Sequence, residues 1–192
     1  MKNNIEIEIQ VQVENLQKLL DFLNEKAEFK GEKHQVDEYF TPFHRDFIAV
    51  RPACEWLRLR DTDGKYSINY KNWHFDDQGK SHYCDEYETK VEDIEQVRKI
   101  FAALNIKPTV KVDKIRKIWV FDDYEITVDS VRDLGDFVEI EHFGEIGDKS
   151  PEQITDEMIK FLKNAGCGEI KRNYVGYPFL ILFPNEVKYD IL

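Results

Sequence analysis

The sequence predicts an α+β protein in which amphipathic helices pack outside a closed eight-stranded antiparallel β-barrel. Two observations carry this prediction. Eight segments alternate apolar and polar residues as β-strands do, and three segments have the apolar spacing of amphipathic helices. No linker rich in Pro, Gly or Ser divides the 192 residues, so we expect one domain over residues 1–192.

The strand predictions depend on alternation, which gives a strand two unlike faces. The clearest example is IEIEIQVQV at residues 5–13. DTDGKY at residues 61–66 is typical of a hairpin turn between two strands. The eight predicted strands are residues 5–13, 34–41, 56–62, 65–73, 82–91, 111–121, 124–130 and 136–143.

The helix predictions depend on apolar residues spaced at i, i+3, i+4 and i+7. This spacing occurs in residues 14–26 and again in residues 92–104. A third predicted helix, in residues 150–166, begins with Ser150 as its N-cap and ends at Gly166.

The order of the predicted elements repeats along the chain. Each half contains a strand, a helix, a second strand and a hairpin. The E-x-E of Glu6 and Glu8 in the first half is echoed by Glu86 and Glu88 in the second. Two such halves are expected to close one barrel around a pseudo-twofold axis.

Composition excludes several classes of function. A net charge of −11 argues against nucleic-acid binding, which needs clustered cations. The sequence contains neither a signal-peptide pattern nor an apolar run of the ~20 residues that a membrane helix needs. The three cysteines lack metal-ligand spacing and favour a reduced, cytoplasmic protein. FLILF at residues 179–183 is interpreted as a core or subunit-contact segment, and a homodimer is consistent with it.

Charges of one sign recur at alternate positions on five predicted strands. The pairs are Glu6 and Glu8, Arg58 and Arg60, Glu86 and Glu88, Lys114 and Arg116, and Glu139 and Glu141. They either line a water-filled tunnel or face solvent around an apolar centre. Like-signed pairs on five strands favour the tunnel. The solvated alternative would suit a barrel that makes protein contacts through YPFLILF.

A charged tunnel of this kind would suit a polyphosphate and a divalent metal. Arginine donates two parallel hydrogen bonds to phosphate, and lysine acts as a compact point charge. Carboxylates bind Mg²⁺ or Mn²⁺, which also take phosphate oxygens as ligands. The cations that could hold three phosphate groups are Arg58, Arg60, Lys71, Lys114 and Arg116.

Six motifs in a fixed order resemble the CYTH superfamily, the triphosphate tunnel metalloenzymes. That superfamily includes class IV adenylyl cyclases, thiamine triphosphatases and inorganic tripolyphosphatases. The similar stretches are EIEIQ, VDEYF, EWLRLRD, DEYETKV, KIRKIW and VDSVRDLGDFVEIE, between residue 5 and about residue 177. VDEYF resembles the cyclase branch. The ordered set strengthens the prediction of a tunnel.

The resemblance implies a role for each charged group. The five cations named above would bind the triphosphate of ATP, inorganic triphosphate or thiamine triphosphate. The reaction would be either cyclisation of ATP to cyclic AMP and pyrophosphate or hydrolysis of a terminal phosphate. The implied ligands of Mg²⁺ or Mn²⁺ are Glu6, Glu8, Glu86, Glu88, Asp129, Glu139 and Glu141. The implied catalytic residues are Glu6, Glu8 and Lys90.

One position departs from the family's pattern. The family's first motif is E-x-E-x-K, whereas this chain has Gln10 in place of the lysine. Lys90 follows Glu86 and Glu88 in the echoed motif of the second half, and is the candidate to replace that lysine across the tunnel. The alternative is a catalytically weak sensor that binds triphosphate or polyphosphate without turnover.

Overall fold

The structure is a computed structural model that describes residues 5–192, and a large antiparallel sheet dominates it. Its strands are β1 Ile5–Val13, β2 Glu28–Pro42, β3 Glu55–Thr62, β4 Lys65–Phe75, β5 Ser81–Val91, β6 Ile106–Phe121, β7 Tyr124–Val131, β8 Gly135–His142, β9 Ile170–Asn173 and β10 Asp190–Ile191. Its helices are α1 Leu16–Lys26, α2 Ile94–Ala103, α3 Pro151–Asn164 and α4 Gly176–Leu182, with a 3₁₀ turn at Pro184–Glu186.

Eight strands close into a barrel. Their order is β1-β5-β4-β3-β2-β6-β7-β8, and β8 pairs back with β1 from Ile7↔His142 to Val11↔Val138. The order is unchanged when each strand is exchanged for its counterpart four strands away, which is the predicted pseudo-twofold repeat. Strands β9 and β10 lie outside the ring and continue the sheet beside β1. The predicted closed eight-stranded barrel is therefore confirmed.

The predicted and observed elements differ mainly at their ends. Strands β2 and β6 begin earlier than alternation indicated, and they pair with each other from Glu28↔Val120 to Pro42↔Ile106. The added part of β2 at residues 28–33, EFKGEK, is mostly polar and has no apolar alternation to reveal it. The short elements β9, β10 and α4 were not predicted.

The helices cover apolar faces of the barrel. Ile7, Ile9 and Val11 on β1 are buried in one core with Leu23 of α1 and Met158 of α3. In a second core, Phe101 of α2 packs edge-to-face on Phe40 of β2. Because side chains alternate along a strand, this outward apolar face leaves the charged positions of β1 to face inward.

The segment FLILF forms most of α4 and contributes to the core. Phe179 and Leu180 are buried, which confirms the prediction of a core segment there. Within residues 5–192, no helix combines the length and the apolar character that crossing a membrane requires.

Candidate active site

The barrel encloses a cavity of about 320 Å³ that is lined mainly by charged side chains. All ten residues of the five like-signed pairs line it. They are Glu6, Glu8, Arg58, Arg60, Glu86, Glu88, Lys114, Arg116, Glu139 and Glu141. The tunnel prediction is therefore correct, and the alternative in which these charges face bulk solvent is wrong.

The charges are segregated by sign around the ring of strands. A basic half, on β2, β3 and β6, consists of Lys33, Arg58, Arg60, Lys114 and Arg116. An acidic half, on β1, β5, β7 and β8, consists of Glu6, Glu8, Glu86, Glu88, Glu125 and Glu141. Lys71 lies on β4, between the two halves in the strand order, and Glu139 on β8 reaches Arg116 of the basic half.

In the basic half, two arginines share one buried carboxylate. Arg60 donates to both oxygens of Asp37, with N···O distances of 2.6 and 2.7 Å. Arg58 lies 3.6 Å from the same carboxylate. Burial alone would raise the pKa of Asp37, but Arg60 and Arg58 outweigh burial and hold that pKa below its ordinary value. Asp37 thus fixes both guanidinium groups at the cavity wall.

A second carboxylate anchors the cations of β6. Asp129 is fully buried and accepts from Lys114 Nζ at 2.9 Å and from Arg116 Nε at 2.7 Å. Arg116 also donates to Glu139 across the boundary. Burial and the adjacent Arg116 lower the pKa of Lys114 to about 8. Burial opposes ionisation of Glu139, yet Arg116 and Lys114 lower its pKa.

Arg58 retains unused hydrogen-bonding capacity. Its Nε atom is buried and has no hydrogen-bond partner among residues 5–192. Its other carboxylate neighbour, Glu86, is 3.9 Å away. A buried donor without a partner is costly, so a phosphate oxygen in the cavity would satisfy a group that the protein leaves unpaired.

In the acidic half, three carboxylates lie side by side. Glu141 on β8 is directly opposite both Glu8 on β1 and Glu125 on β7. Directly opposed like charges destabilise a sheet. Burial, reinforced by Glu6, raises the pKa of Glu8 to about 8. Burial, reinforced by Glu8, raises the pKa of Glu141 to about 7. These carboxylates lack enough positive charge.

Lys71 makes the closest cationic contacts with this acidic half. Its Nζ pairs with Glu6 and lies 3.4 Å from Glu8 and 4.0 Å from Glu86. Burial would lower the pKa of Lys71, but Glu6 and Glu8 raise it well above its ordinary value. Burial nevertheless raises the pKa of Glu6 despite Lys71. One lysine therefore does not balance the carboxylates around it.

The chemistry of the acidic half fits a hard divalent cation. Its donors are carboxylate oxygens, which Mg²⁺ and Mn²⁺ prefer, and a bound cation would oppose the burial and like-charge repulsion that raise the pKa values of Glu8 and Glu141. In residues 5–192, no three Cys, His, Asp or Glu side chains converge into a ready metal centre. Side-chain movement would be needed for these carboxylates to share a cation.

Two predicted site residues lie elsewhere than expected. Lys90 is exposed, is paired in register with Ser67 on β4 and is not among the cavity-lining residues, which corrects its expected position across the tunnel. Alternation places Lys90 on the same face of β5 as Glu88. It does not specify whether a residue lies at the level of the cavity or past its end, and Lys90 lies beyond the cavity. Asp129 lies behind the lining, where its oxygens accept from Lys114, Arg116 and Tyr177.

The structure adds site residues that the sequence argument missed. Lys33, Gln35 and Asp37 alternate along β2, and the first two line the cavity. This i, i+2 pattern was visible in EKHQVDEYF, but its members differ in charge and do not form a like-signed pair. Tyr177 of α4 lines the cavity and donates to Asp129 at 2.9 Å. No local pattern indicated that contact, which joins residues far apart in the chain.

The fold and cavity define a barrel with an enclosed binding site that is basic on one side and acidic on the other. The family model described as the CYTH domain matches residues 4–174. The chain therefore belongs to the CYTH family.

Individual proteins are also similar to this chain in sequence or in structure. A protein of Methanocaldococcus jannaschii named "Putative adenylate cyclase MJ0240" is 36% identical over 176 residues, which cover 89% of this chain and 97% of that protein. The structure of the PH1819 protein from Pyrococcus horikoshii OT3 has a TM-score of 0.70 at 27% identity, covering 86% of this chain and 92% of that one.

A more distant structure has the same fold. HpAC1 from Hippeastrum, an adenylyl cyclase by name for which a dominant triphosphatase activity is described, has a TM-score of 0.64. Its identity to this chain is 19%, with coverage of 93% of this chain and 95% of that one. At this identity the likeness shows the fold alone.

Proposed function

We propose that the protein is a divalent-metal-dependent enzyme that binds a triphosphate-bearing substrate in its barrel cavity and breaks a phosphoanhydride bond. The reaction is either cyclisation of ATP to cyclic AMP and pyrophosphate or hydrolysis of a terminal phosphate. The segregation of charge in the cavity carries this proposal. A phosphate chain needs cations on one side, and the metal that bridges its oxygens needs carboxylates on the other.

The basic half would bind the phosphate chain. Arg60 is held by Asp37 and Arg116 by Asp129, so these guanidinium groups are positioned before a ligand arrives, and Arg58 lies 3.6 Å from Asp37 beside them. Preorganised donors stabilise charge that develops on phosphate oxygens without reorganising during the reaction. The Nε of Arg58 has no partner among residues 5–192, and it would gain one if the side chain turned to meet a phosphate oxygen.

The acidic half would hold the metal. The carboxylates that would share it are Glu6, Glu8, Glu125 and Glu141, with Glu86 nearby. A bound Mg²⁺ or Mn²⁺ would neutralise charge on the phosphate oxygens and orient them for in-line displacement. Lys71 would then be released from part of its contact with Glu6 and Glu8, and could turn toward the substrate.

The substrate's organic group is suggested by the cavity lining and by the relatives. Trp56 and Trp73 line the same cavity and offer apolar surface to a ring-bearing group such as a nucleoside. The M. jannaschii relative bears an adenylate cyclase name, and the resemblance of VDEYF to the cyclase branch points the same way. ATP is therefore the first substrate to test, followed by thiamine triphosphate and inorganic triphosphate.

A substrate panel tests the proposal. Purified protein is incubated with Mg²⁺ or Mn²⁺ and each of the three triphosphates, and the products are resolved by chromatography. Cyclic AMP with pyrophosphate indicates cyclisation, whereas orthophosphate indicates hydrolysis. Arg58→Ala should reduce kcat/KM at least tenfold, because a lost charged hydrogen bond costs about 1.5–3 kcal/mol.

Arg98→Ala is the matched control, because Arg98 pairs with Glu38 and is not among the cavity-lining residues. The proposal fails if no triphosphate yields product and if Arg58→Ala binds triphosphate as tightly as the native protein. Binding without turnover would instead identify a triphosphate-binding protein.

A further inference from the structure

Gln10 occupies the position where the family's first motif has lysine, and it makes two hydrogen bonds of opposite polarity. Its Nε2 donates to Glu139 Oε1 at 2.9 Å. Its Oε1 accepts from Asn173 Nδ2 at 3.2 Å. Gln10 therefore joins the cavity carboxylate beside Arg116 to strand β9, which lies outside the barrel ring.

Asn173 continues this connection into α4. Only 2% of Asn173 is exposed, and its Oδ1 accepts from the backbone N–H groups of Val175 at 3.2 Å and Gly176 at 3.3 Å. Helix α4 receives no capping hydrogen bond from the side chain of its own N-cap residue, Val175. Asn173 thus supplies the acceptor that the first residues of α4 would otherwise lack.

The groups at the two ends of this series of hydrogen bonds determine how the side-chain amides of Gln10 and Asn173 are oriented. Backbone N–H groups only donate, so Asn173 must present its oxygen to α4 and its nitrogen to Gln10. Glu139 accepts from Arg116 through one carboxylate oxygen and presents the other to Gln10, so Gln10 must present its nitrogen there. A residue at position 10 must therefore donate and accept at once. Lysine has three donors and no acceptor, so it cannot replace this amide.

A second contact returns from α4 to the same ion cluster. Tyr177 donates to Asp129 at 2.9 Å, and Asp129 also accepts from Arg116 at 2.7 Å. Arg116 in turn contacts Glu139. The contacts form a closed circuit through Glu139, Gln10, Asn173, α4, Asp129 and Arg116. Since Gly176, Tyr177 and Pro178 line the cavity, this circuit determines where that part of the wall lies.

We propose that Gln10 is a positioning residue that, through Asn173, holds the start of α4 in place relative to the Glu139–Arg116 pair. Its role in shaping the triphosphate site rests on the proposed function, whereas its role in holding α4 does not. Gln10 thus helps to position this cavity wall. Gln10→Lys, which introduces the family's lysine, should therefore loosen α4 and weaken triphosphate binding. The sensor hypothesis makes the opposite prediction, that Gln10→Lys creates turnover.

Amide hydrogen exchange tests the connection without requiring any activity. Asn173→Asp keeps an acceptor for Val175 and Gly176 but cannot donate to Gln10 when ionised, and Gln10→Lys cannot accept from Asn173. We expect each variant to speed exchange in residues 176–182 at least tenfold, while exchange in α3 changes less than twofold. In the double variant the new ammonium group at position 10 can donate to the new carboxylate at position 173, so exchange in α4 should be no faster than in the faster single variant.

Gln12→Lys is the control for charge, because Gln12 lies two residues further along β1 and outside the cavity lining. Asn164→Asp, at the exposed last residue of α3, is the control for replacing an amide by a carboxylate. Unchanged exchange in α4, additive effects of the two variants, or equal acceleration of α3 and α4 would each overturn the proposal. The last result would indicate general destabilisation.

Binding of inorganic triphosphate separates this inference from the proposed function. If α4 is released and triphosphate affinity falls at least fivefold in both variants, both proposals are supported. If α4 is released but native protein binds no triphosphate, Gln10 holds α4 and the proposed function is wrong. If native protein binds triphosphate and the variants bind it equally well, the role of Gln10 in the site is wrong.

Discussion

The two halves of the cavity wall treat buried charge in opposite ways. In the basic half, Asp37 is held by Arg60 and Arg58, and its pKa lies below the ordinary value. In the acidic half, Glu8 and Glu141 face each other, and their pKa values rise to about 8 and about 7. Both halves lie on the inner face of one barrel, so their difference comes from which charges the strands bring together.

The two halves of the cavity wall differ in how much they depend on a ligand. Four cations of the basic half, Arg58, Arg60, Lys114 and Arg116, already have carboxylate partners, so this half is stable alone and ready for phosphate. The acidic half has more carboxylates than Lys71 can balance, so it gains most from an added cation. Removing charge should therefore destabilise the first half and stabilise the second.

The largest expected effect comes from breaking the basic half. Arg116→Gln leaves fully buried Asp129 and the nearby Glu139 with less compensation. Breaking a buried ion pair costs about 3–5 kcal/mol, and Tm should fall by about 10 °C at roughly 2–4 °C per kcal/mol. Arg98→Gln, which breaks a partly exposed pair with Glu38, should lower Tm by less than about 3 °C. Thermal unfolding measures both, and equal losses would contradict the comparison.

The carboxylates of the acidic half should make the stability of the protein depend on pH. Because the pKa of Glu8 is raised from 4.5 to about 8, the folded protein holds a proton there that the unfolded chain has lost. Stability from Glu8 and Glu141 is thus present at low pH and lost as pH rises through about 7 to 8. In EDTA, Tm should fall by at least about 4 °C between pH 6 and pH 8.5, since each pH unit between a group's unfolded and folded pKa costs about 1.4 kcal/mol. A Tm that stays constant or rises over this pH range would contradict the raised pKa values of Glu8 and Glu141.

Neutralising one acidic residue should have a smaller effect of opposite sign to Arg116→Gln. Glu8→Gln removes a carboxylate that faces Glu141, while Lys71 keeps Glu6 as its partner. At pH 8 in EDTA, Tm should rise by about 2 °C, and the Tm increase on adding Mg²⁺ should be at least halved. A fall in Tm would show that Glu8 is already balanced in the metal-free protein.

The smallest expected effect tests the boundary of the cavity. Lys90 follows Glu86 and Glu88 on β5 but is exposed and does not line the cavity. Lys90→Ala should leave triphosphate affinity within twofold of the native protein and Tm within about 1 °C. A tenfold loss of triphosphate affinity would show that Lys90 belongs to the site. Lys71→Ala, which changes a residue that lines the cavity, is the comparison.

Much of the fold and of the site's composition could be predicted from the sequence. Alternation along residues 5–13 identified β1 with its observed bounds, and it assigned Glu6 and Glu8 to the inner face. The same period assigned Arg58 and Arg60. A period of two is a local property of the backbone, and it survives folding because a shift by one residue would expose the apolar face.

What could not be predicted depends on tertiary contacts. Alternation gives the face of a residue but not its depth, which is why Lys90 was misplaced. The bridge from Gln10 to Asn173 joins positions 163 residues apart, and the bond from Tyr177 to Asp129 spans 48. Helix α4 has seven residues, too few to show a helical period. The division of the cavity by sign follows from the order of strands in the ring.

The proposed function requires one cavity to bind phosphate on its basic half and a divalent cation on its acidic half. Calorimetric titration with imidotriphosphate, a triphosphate with nitrogen in its bridges, tests it directly. Binding is measured with and without Mg²⁺ and corrected for the complex that the two form in solution. We predict that Mg²⁺ tightens imidotriphosphate binding at least tenfold, about 1.4 kcal/mol, and that imidotriphosphate tightens Mg²⁺ binding equally. No binding, or an affinity that Mg²⁺ leaves unchanged, would contradict the claim.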